Sequence, residues 1–329
     1  MSARSATGAA PAAPRALAGA RVLLTGSTGL VGAAVARALV AAGAQVQALV
    51  RERASVTPMT AGVEHVTLPS YVPAVVLDAV ARRPVDVAIH LGAYGVKPAE
   101  QDALALVEGN AGITAALLLG LAASPPARVV FAGSSAQYRA AAAPALLDED
   151  AAQEPASVYG ACKCAAERIG DALARQHALP FVSLRLFGVY GPGEAAHRMV
   201  PYLARELAAG RTPALTAGAQ VRDWVYVDDV ADAILAAAVA PLHERAYNVC
   251  SGVGVSVRDV ARRVGAALGR TESALGLGAK AYRPDEPMWI VGDPTRLHAA
   301  TGWRPRTSLD EGVARTVAWA LASTPREGA

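Results

Sequence analysis

The stretch TGSTGLVG at residues 25–32 constrains the fold more than any other part of the chain. It follows ARVLLTG (20–26), a continuous apolar run that reads as a strand buried on both faces. It opens LVGAAVARALVAAG (30–43), where apolar residues recur at helical spacing and a glycine ends the pattern. Gly26, Gly29 and Gly32 stand three apart across this strand-to-helix junction. There, glycines permit a tight turn, a close approach of backbone to ligand, and a helix packed hard on its strand. The helix N-terminus beyond them favours negative charge. The chain therefore reads as opening with a βα unit shaped for a dinucleotide pyrophosphate.

Further apolar, β-branched runs follow at AQVQALV (44–50), VDVAIHL (85–91), ARVVFAG (127–133) and PFVSLRLF (180–187). Helical stretches at about 101–123 and 157–177 separate the later ones. Strands alternating with helices form right-handed βαβ units and a parallel sheet covered on both faces. The expected fold class is α/β, a Rossmann-type doubly wound parallel sheet with a smaller mixed α/β C-terminal substrate domain. Beyond residue 188 the pattern loosens. GVYGPGE (188–194) reads as a loop, followed by a helix at about 197–209 and short strands near 214–216 and 222–227. VDDVADAILAAAV (227–239) reads as a helix with Asp at its N-cap, and two more helical patterns lie near 256–269 and 308–322. The expected organisation is a disordered tail at 1–19 and a dinucleotide-binding domain at 20–187, to which 222–240 returns. A substrate-binding domain is expected from 188–221 and 241–329, with a cleft between the two.

Composition narrows the function classes. The chain has 329 residues, 53% hydrophobic and 18% charged, enough to bury a large core. A net charge of +3 with no run of Lys or Arg argues against a nucleic-acid surface. No apolar run reads as reaching the roughly 18 residues of a membrane span. The first nineteen residues lack the leucine-rich core of a secretory signal, so a cytoplasmic protein is expected. The three cysteines (162, 164 and 250) are too few for a disulfide framework, and Cys162 and Cys164 are not at C-x-x-C spacing. The six histidines are scattered, and no metal site is expected.

The stretch VYGACKC (158–164) carries the chemistry. Lysine occurs only at 97, 163 and 280, yet one stands four residues after Tyr159. Positions i and i+4 share a helix face. A free phenol titrates near 10, and a neighbouring ammonium stabilises the phenolate, bringing proton exchange towards neutral pH. That pairing suits proton exchange at a carbonyl or alcohol while a nicotinamide exchanges hydride. FAGSSAQY (131–138) ends a strand with two serines, either of which could orient the reacting oxygen. At the end of the second strand, ALVRERAS (48–55) has Val50 where an acid would hold the ribose of NAD. Arg51 and Arg53 follow and suit a 2′-phosphate, so NADP is preferred over NAD.

The chain resembles the extended short-chain dehydrogenase/reductases of the NAD-dependent epimerase/dehydratase type, which modify sugar nucleotides. The resemblance runs from about 20 to 322. T-G-x-x-G-x-x-G matches at 25–32, Y-x-x-x-K at Tyr159 and Lys163, and HLGAY (90–94) is similar to H-L-A-A. RLFGVYGPG (185–193), RDWVYVDDVADAI (222–234) and GDPTRLHAATGWRPRTSLDEGV (292–313) match further family signatures. The resemblance implies Tyr159 as acid/base, Lys163 as its partner and ribose ligand, and Ser134 as the third catalytic residue, with Ser135 the fallback beside substrate. It implies cofactor contacts at Gly26, Thr28, Gly29, Leu30, Val31, Gly32, Arg51, Arg53, Leu91, Gly92, Ala93 and Asn110. Tyr94, Arg222 and Arg283 are implied to contact a nucleotide-sugar substrate, and a homodimer is implied through the Tyr159 helix.

The sequence also departs from the family. Dehydratases carry Asp-Glu after the catalytic threonine, where this chain has Ser135 and Ala136. Gly188 replaces an asparagine, Arg139 replaces a glycine, and VTLPSY (66–71) lacks the acid that follows the third strand. NADPH-dependent reduction of a nucleotide-linked keto-deoxysugar is the leading expectation, and a 4-epimerase that recycles NAD is the alternative. A reductase of non-nucleotide carbonyls and a non-catalytic NADP sensor rank lower.

Overall fold

The computed structural model describes residues 16–51, 62–96, 99–141 and 143–323. Seven strands form one wholly parallel sheet: β1 (Arg21–Thr25), β2 (Gln45–Arg51), β3 (Glu64–Leu68), β4 (Val87–His90), β5 (Arg128–Ser134), β6 (Phe181–Leu186) and, later in the chain, β9 (Ala246–Val249). Their order is β3-β2-β1-β4-β5-β6-β9. The order reverses between β1 and β4, so a crevice opens outside the carboxyl ends of these two strands.

Helices cover both faces of the sheet, as a two-sided apolar sheet requires. On one face lie α1 (Leu30–Ala41) and α7 (Val227–Val239), which contribute Val35, Leu39, Val230 and Ile234 to the core. On the other lie α2 (Pro73–Ala81), α4 (Ile113–Leu121) and α5 (Val158–Gln176), contributing Val76, Leu117, Leu118 and Ala166. Each fully buried aliphatic side chain here stabilises the fold by about 1.5–3 kcal/mol relative to exposure.

The short α3 (Ala103–Val107) runs into α4 through a π-type turn at Glu108–Gly112. Ala103–Leu121 spans 19 residues with mean hydropathy 1.7, enough by length and composition to cross a membrane, unlike the sequence reading. Ile113, Leu117, Leu118 and Leu121 of this segment are buried in the core, whereas Leu104, Val107 and Leu119 are exposed.

A second, smaller sheet joins β8 (Val221–Tyr226) to β7 (Gly188–Tyr190), β10 (Gly254–Ser256) and β11 (Trp289–Ile290). Beside it, α6 (Met199–Ala208), α8 (Val257–Ala267) and α10 (Leu309–Ala322) share a core of Leu203, Leu207, Val260, Val264, Val313 and Val317. The short α9 (Thr295–Thr301) places Leu297 back in the main core. Thus β8 lies in the small sheet, whereas α7, directly after it, packs on the large one.

Some expectations are corrected. Leu17 is buried in the main core and Gly19 N–H donates to Gly43 O, so the expected tail does not extend to residue 19, and its residues 1–15 lie outside the described residues. No strand forms at 214–216, because Leu215 pairs by backbone with Gly276 and Lys280 in a loop rather than with a sheet. The N-cap of α7 is Tyr226, and Asp228 and Asp229 fall in its first turn. Asp229 instead accepts from the backbone N–H groups of Arg306 and Thr307, tying the C-terminal segment to this helix.

Candidate active site

The glycine loop is close-packed by necessity. Gly26 has φ +76°, and a Cβ there would lie 2.7 Å from the Gly92 nitrogen. A Cβ on Gly32 would lie 1.9 Å from the Gly26 carbonyl oxygen. Helix α1 starts after Gly29 with no side-chain cap, and the buried Ser27 hydroxyl has no hydrogen-bond partner. A cradle that side chains would fill, an uncapped helix N-terminus and an orphaned hydroxyl fit a dinucleotide pyrophosphate. Thr28, Leu30 and Val31 line the same turn. Arg51 ends β2 and is exposed, while Arg53 lies outside the described residues.

Beneath the loop, His90 is locked as a neutral imidazole. Its Nδ1 lies 2.6 Å from Thr25 Oγ1 and its Nε2 3.1 Å from Thr114 Oγ1. Thr114 donates to the Asn110 carbonyl, so it accepts from Nε2–H, and Nδ1 accepts from Thr25. Burial, with the charge of Lys163 adding, pushes the His90 pKa down to about 3. Thr25 also accepts from the Gly92 N–H, which fixes the start of the Leu91, Gly92, Ala93, Tyr94 loop. Asn110, in the π-type turn, donates to the carbonyls of Tyr94 and Leu106 and accepts from the Tyr94 N–H. The loop then passes beside Tyr159: a Cβ on Gly95 would lie 3.2 Å from the Tyr159 ring.

Ser134 ends β5 and caps the turn at Ser135–Gln137, accepting from the Ala136 N–H. Helix α5 approaches this turn so closely that a Cβ on Gly160 would lie 2.2 Å from the Ala136 oxygen. The missing side chain lets its neighbour Tyr159 approach Ser134 closely enough for the serine to favour the phenolate. Burial holds the phenol above its ordinary pKa, while the Ser134 bond and the charge of Arg198 pull it back. Lys163 lies on the same helix and is 2% exposed. Its Nζ sits 4.3 Å from the centroid of the Phe131 ring, and burial lowers its pKa to about 8, partly offset by Glu167.

Sequence reasoning missed the frame behind these groups. Gln137 accepts from the Ser134 N–H at 2.7 Å and donates to Glu167 at 3.0 Å. Glu167 also receives the Ser183 hydroxyl and the buried Arg185 guanidinium. The frame therefore ties the Ser134 strand end to the Lys163 helix. Gly188 stands where the resemblance expected an asparagine, and a Cβ there would lie 2.4 Å from the Asp223 oxygen, so pairing of β7 with β8 leaves no room for one.

On the small-sheet side, Arg222 and Arg283 are brought together by Glu286. Arg222 donates to one of its oxygens at 2.8 Å, Arg283 to the other at 3.0 Å. Glu194 and Arg198, in the loop before α6, form another ion pair at 3.3 Å. Glu194 and Arg198 stand four apart and Arg283 and Glu286 three apart, a local signal that sequence reasoning did not use, whereas Arg222 and Glu286 meet only through the fold.

Residues 22–250 match the profile of the NAD dependent epimerase/dehydratase family. The chain belongs to that family of Rossmann-fold proteins. It is 33% identical to a dTDP-L-rhamnose 4-epimerase of Burkholderia thailandensis, over 50% of this chain and 46% of that protein. It is 27% identical to a dTDP-6-deoxy-L-talose 4-dehydrogenase (NAD(P)(+)) of Kitasatospora kifunensis, over 93% and 96% of the two chains. The UDP-glucose 4-epimerase of Thermus thermophilus, solved with NAD, superposes with a TM-score of 0.81 at 29% identity, over 92% of this chain and all of that one. The chain spans about half the length of the relatives it matches at 31–33% identity.

Proposed function

We propose that this protein is an NAD(P)-dependent oxidoreductase of a nucleotide-linked sugar, and specifically an NADPH-dependent 4-ketoreductase of a keto-deoxysugar. The observation that carries the reading is the approach of the Tyr159 helix to Ser134 at the end of β5, where Ser135 and Ala136 follow rather than acids. A proton donor is in place, while the pair of acids for eliminating water is missing. A nicotinamide bound at the loop supplies the hydride. Tyr159 gives its proton to the carbonyl oxygen as negative charge develops there. Ser134 is a second donor to that oxygen, and Lys163 stabilises the phenolate left behind. Arg222 and Arg283 grip the diphosphate, which displaces the Glu286 carboxylate that both arginines hold in the free protein. Arg51 supports NADP over NAD. A cytoplasmic homodimer completes the proposal, supported by exposed Val158 and Ile169 on α5 and Leu104, Val107 and Leu119 on α3 and α4.

The test mixes purified protein with NADPH and a nucleotide-linked 4-keto-6-deoxyhexose and follows nicotinamide absorbance. A fall matched by an equal amount of new alcohol supports the reductase. No fall, together with interconversion of a saturated sugar nucleotide without added cofactor, supports a 4-epimerase, the reading favoured by the names of two of the relatives above. Tyr159→Phe is expected to bind cofactor normally and lose at least about a hundredfold in turnover. Near-normal turnover in that variant would sink the mechanism.

A further inference from the structure

Lys163 is a cation in the interior, and the proposed chemistry does not explain how the fold tolerates it. The residue is 2% exposed, and burial brings its pKa down to about 8. An ammonium so placed is costly unless something offsets the lost water. Among the described residues Lys163 makes no ion pair, and Glu167, one turn further along α5, is already paired with Arg185. What the fold sets against the ammonium is an aromatic ring: Nζ lies over Phe131, 4.3 Å from the ring centroid.

The large sheet holds that ring in place. Phe131 on β5 stands opposite His90 on β4, and Phe131 joins the core that α4 and α5 cover. Residues opposite each other in a ladder share a face of the sheet, so the imidazole lies beside the phenyl ring. Their centroids are 5.7 Å apart at a 51° tilt, and Phe181 of β6 stacks on Phe131 at 5.8 Å and 29°. Helix α5 comes close to this aromatic layer at Gly170, where a Cβ would lie 2.8 Å from the Phe181 ring. Lys163 is two turns earlier on the same helix face, so the same approach carries its ammonium over Phe131. His90 is neutral there, and a second cation against this ring would repel the first.

We propose that Phe131 is a positioning residue for Lys163: its π-face holds the ammonium in place and keeps it charged inside the protein. The proposal rests on the reading that Lys163 stabilises the Tyr159 phenolate, which only the charged lysine can do. A ring face attracts a cation most strongly where water is excluded. Losing that face favours the neutral amine, so the lysine midpoint falls. The other titratable groups around Lys163 are Tyr159 and Glu167, one turn to either side on α5, His90 on β4, and Arg185 of β6, which is joined to Glu167. Changes at Phe131 leave all four in place.

The experiment follows the Lys163 side-chain resonance by NMR through a pH titration of the full chain grown with isotope-labelled lysine. Lysine occurs only at 97, 163 and 280, so the spectrum is simple, and Lys163→Met identifies the signal. Phe131→Leu removes the ring. A ring-fluorinated phenylalanine in place of Phe131 keeps the shape but drains the negative face. Phe131→Leu is expected to lower the midpoint by about one pH unit, and the fluorinated ring to lower it by a smaller amount. Thermal unfolding checks that each chain is folded, and should Phe131→Leu fail to fold, the fluorinated chain decides by itself. A folded Phe131→Leu with the wild-type midpoint overturns the proposal. So does a fluorinated ring with the wild-type midpoint, since the ring then only fills space. The titration needs no turnover, so it stands apart from the substrate assay. Wild-type turnover in Lys163→Met would instead overturn the lysine's part in the chemistry, with the midpoints still deciding what Phe131 does to its charge.

Discussion

Replacing Arg185 by methionine tests the frame behind the candidate site. The guanidinium is almost fully buried, with 5% of its side chain exposed against 10% for Glu167. It donates through Nε to both Glu167 oxygens, at 3.2 and 3.1 Å, and through Nη1 to the Tyr138 hydroxyl and the Glu149 carbonyl, at 2.8 and 2.7 Å. Methionine fills much of the volume but leaves the Glu167 charge buried. Breaking one side of such a pair costs about 3–5 kcal/mol, or about 4–7 °C in Tm for a chain of this size. In the wild type, burial alone would raise the Glu167 pKa, but bonds from Arg185, Ser183 and Gln137 outweigh it and the group lies below its ordinary value. Its stabilising contribution is therefore present above the ordinary carboxylate range and lost as pH falls through the depressed pKa. Without Arg185, burial dominates and the folded-state pKa rises above the unfolded one, so the variant loses stability as pH rises through that window. Thermal unfolding by circular dichroism should show the full deficit near pH 7.5 and a smaller one near pH 5. The double variant Arg185→Met/Glu167→Leu should recover part of the loss, because no charge is left unpaired. A deficit below about 2 °C, or one equal at both pH values, would refute the reasoning.

Other outcomes follow from single contacts. Gly32→Ala puts a Cβ into the Gly26 carbonyl, so fluorescence titration should show nicotinamide-dinucleotide affinity reduced by about tenfold or more, with stability lowered by about 1–3 kcal/mol. Lys163→Met should raise Tm by a few degrees at neutral pH while turnover collapses. The lysine pKa of about 8 lies below its unfolded value, so the buried charge costs stability below pH 8, and the variant's advantage should shrink as pH rises from there towards 10.5. Arg51→Ala should weaken NADPH binding by about tenfold and leave NADH binding unchanged, read by calorimetry. Equal losses for both cofactors would count against a 2′-phosphate contact at Arg51.

Much of the large sheet was legible because its signals are local. Apolar runs such as Val22–Leu24 and Val129–Phe131 admit no face towards water, and the helices between them repeat at helical spacing. The sequence reading passed over β3, α2 and β9 of the large sheet and took the β7 segment for a loop, and it also missed the shortest strands. Strands β10 and β11 hold three and two residues and exist only because β8 lies beside them. The expected strand at 214–216 has similar composition but meets a loop, so it stays a loop.

The sequence by itself determined the parallel αβ alternation, the glycine turn, and the placing of Tyr159 and Lys163 one helical turn apart, because each depends on residues within a few positions. Only the tertiary structure decided which charge faces which group. It turned Lys163 onto Phe131, set Glu286 between Arg222 and Arg283, and joined Arg185 to Glu167. Those pairings join segments far apart in the chain, and burial sets how strongly their charges act. Neither distance nor burial is written in local spacing.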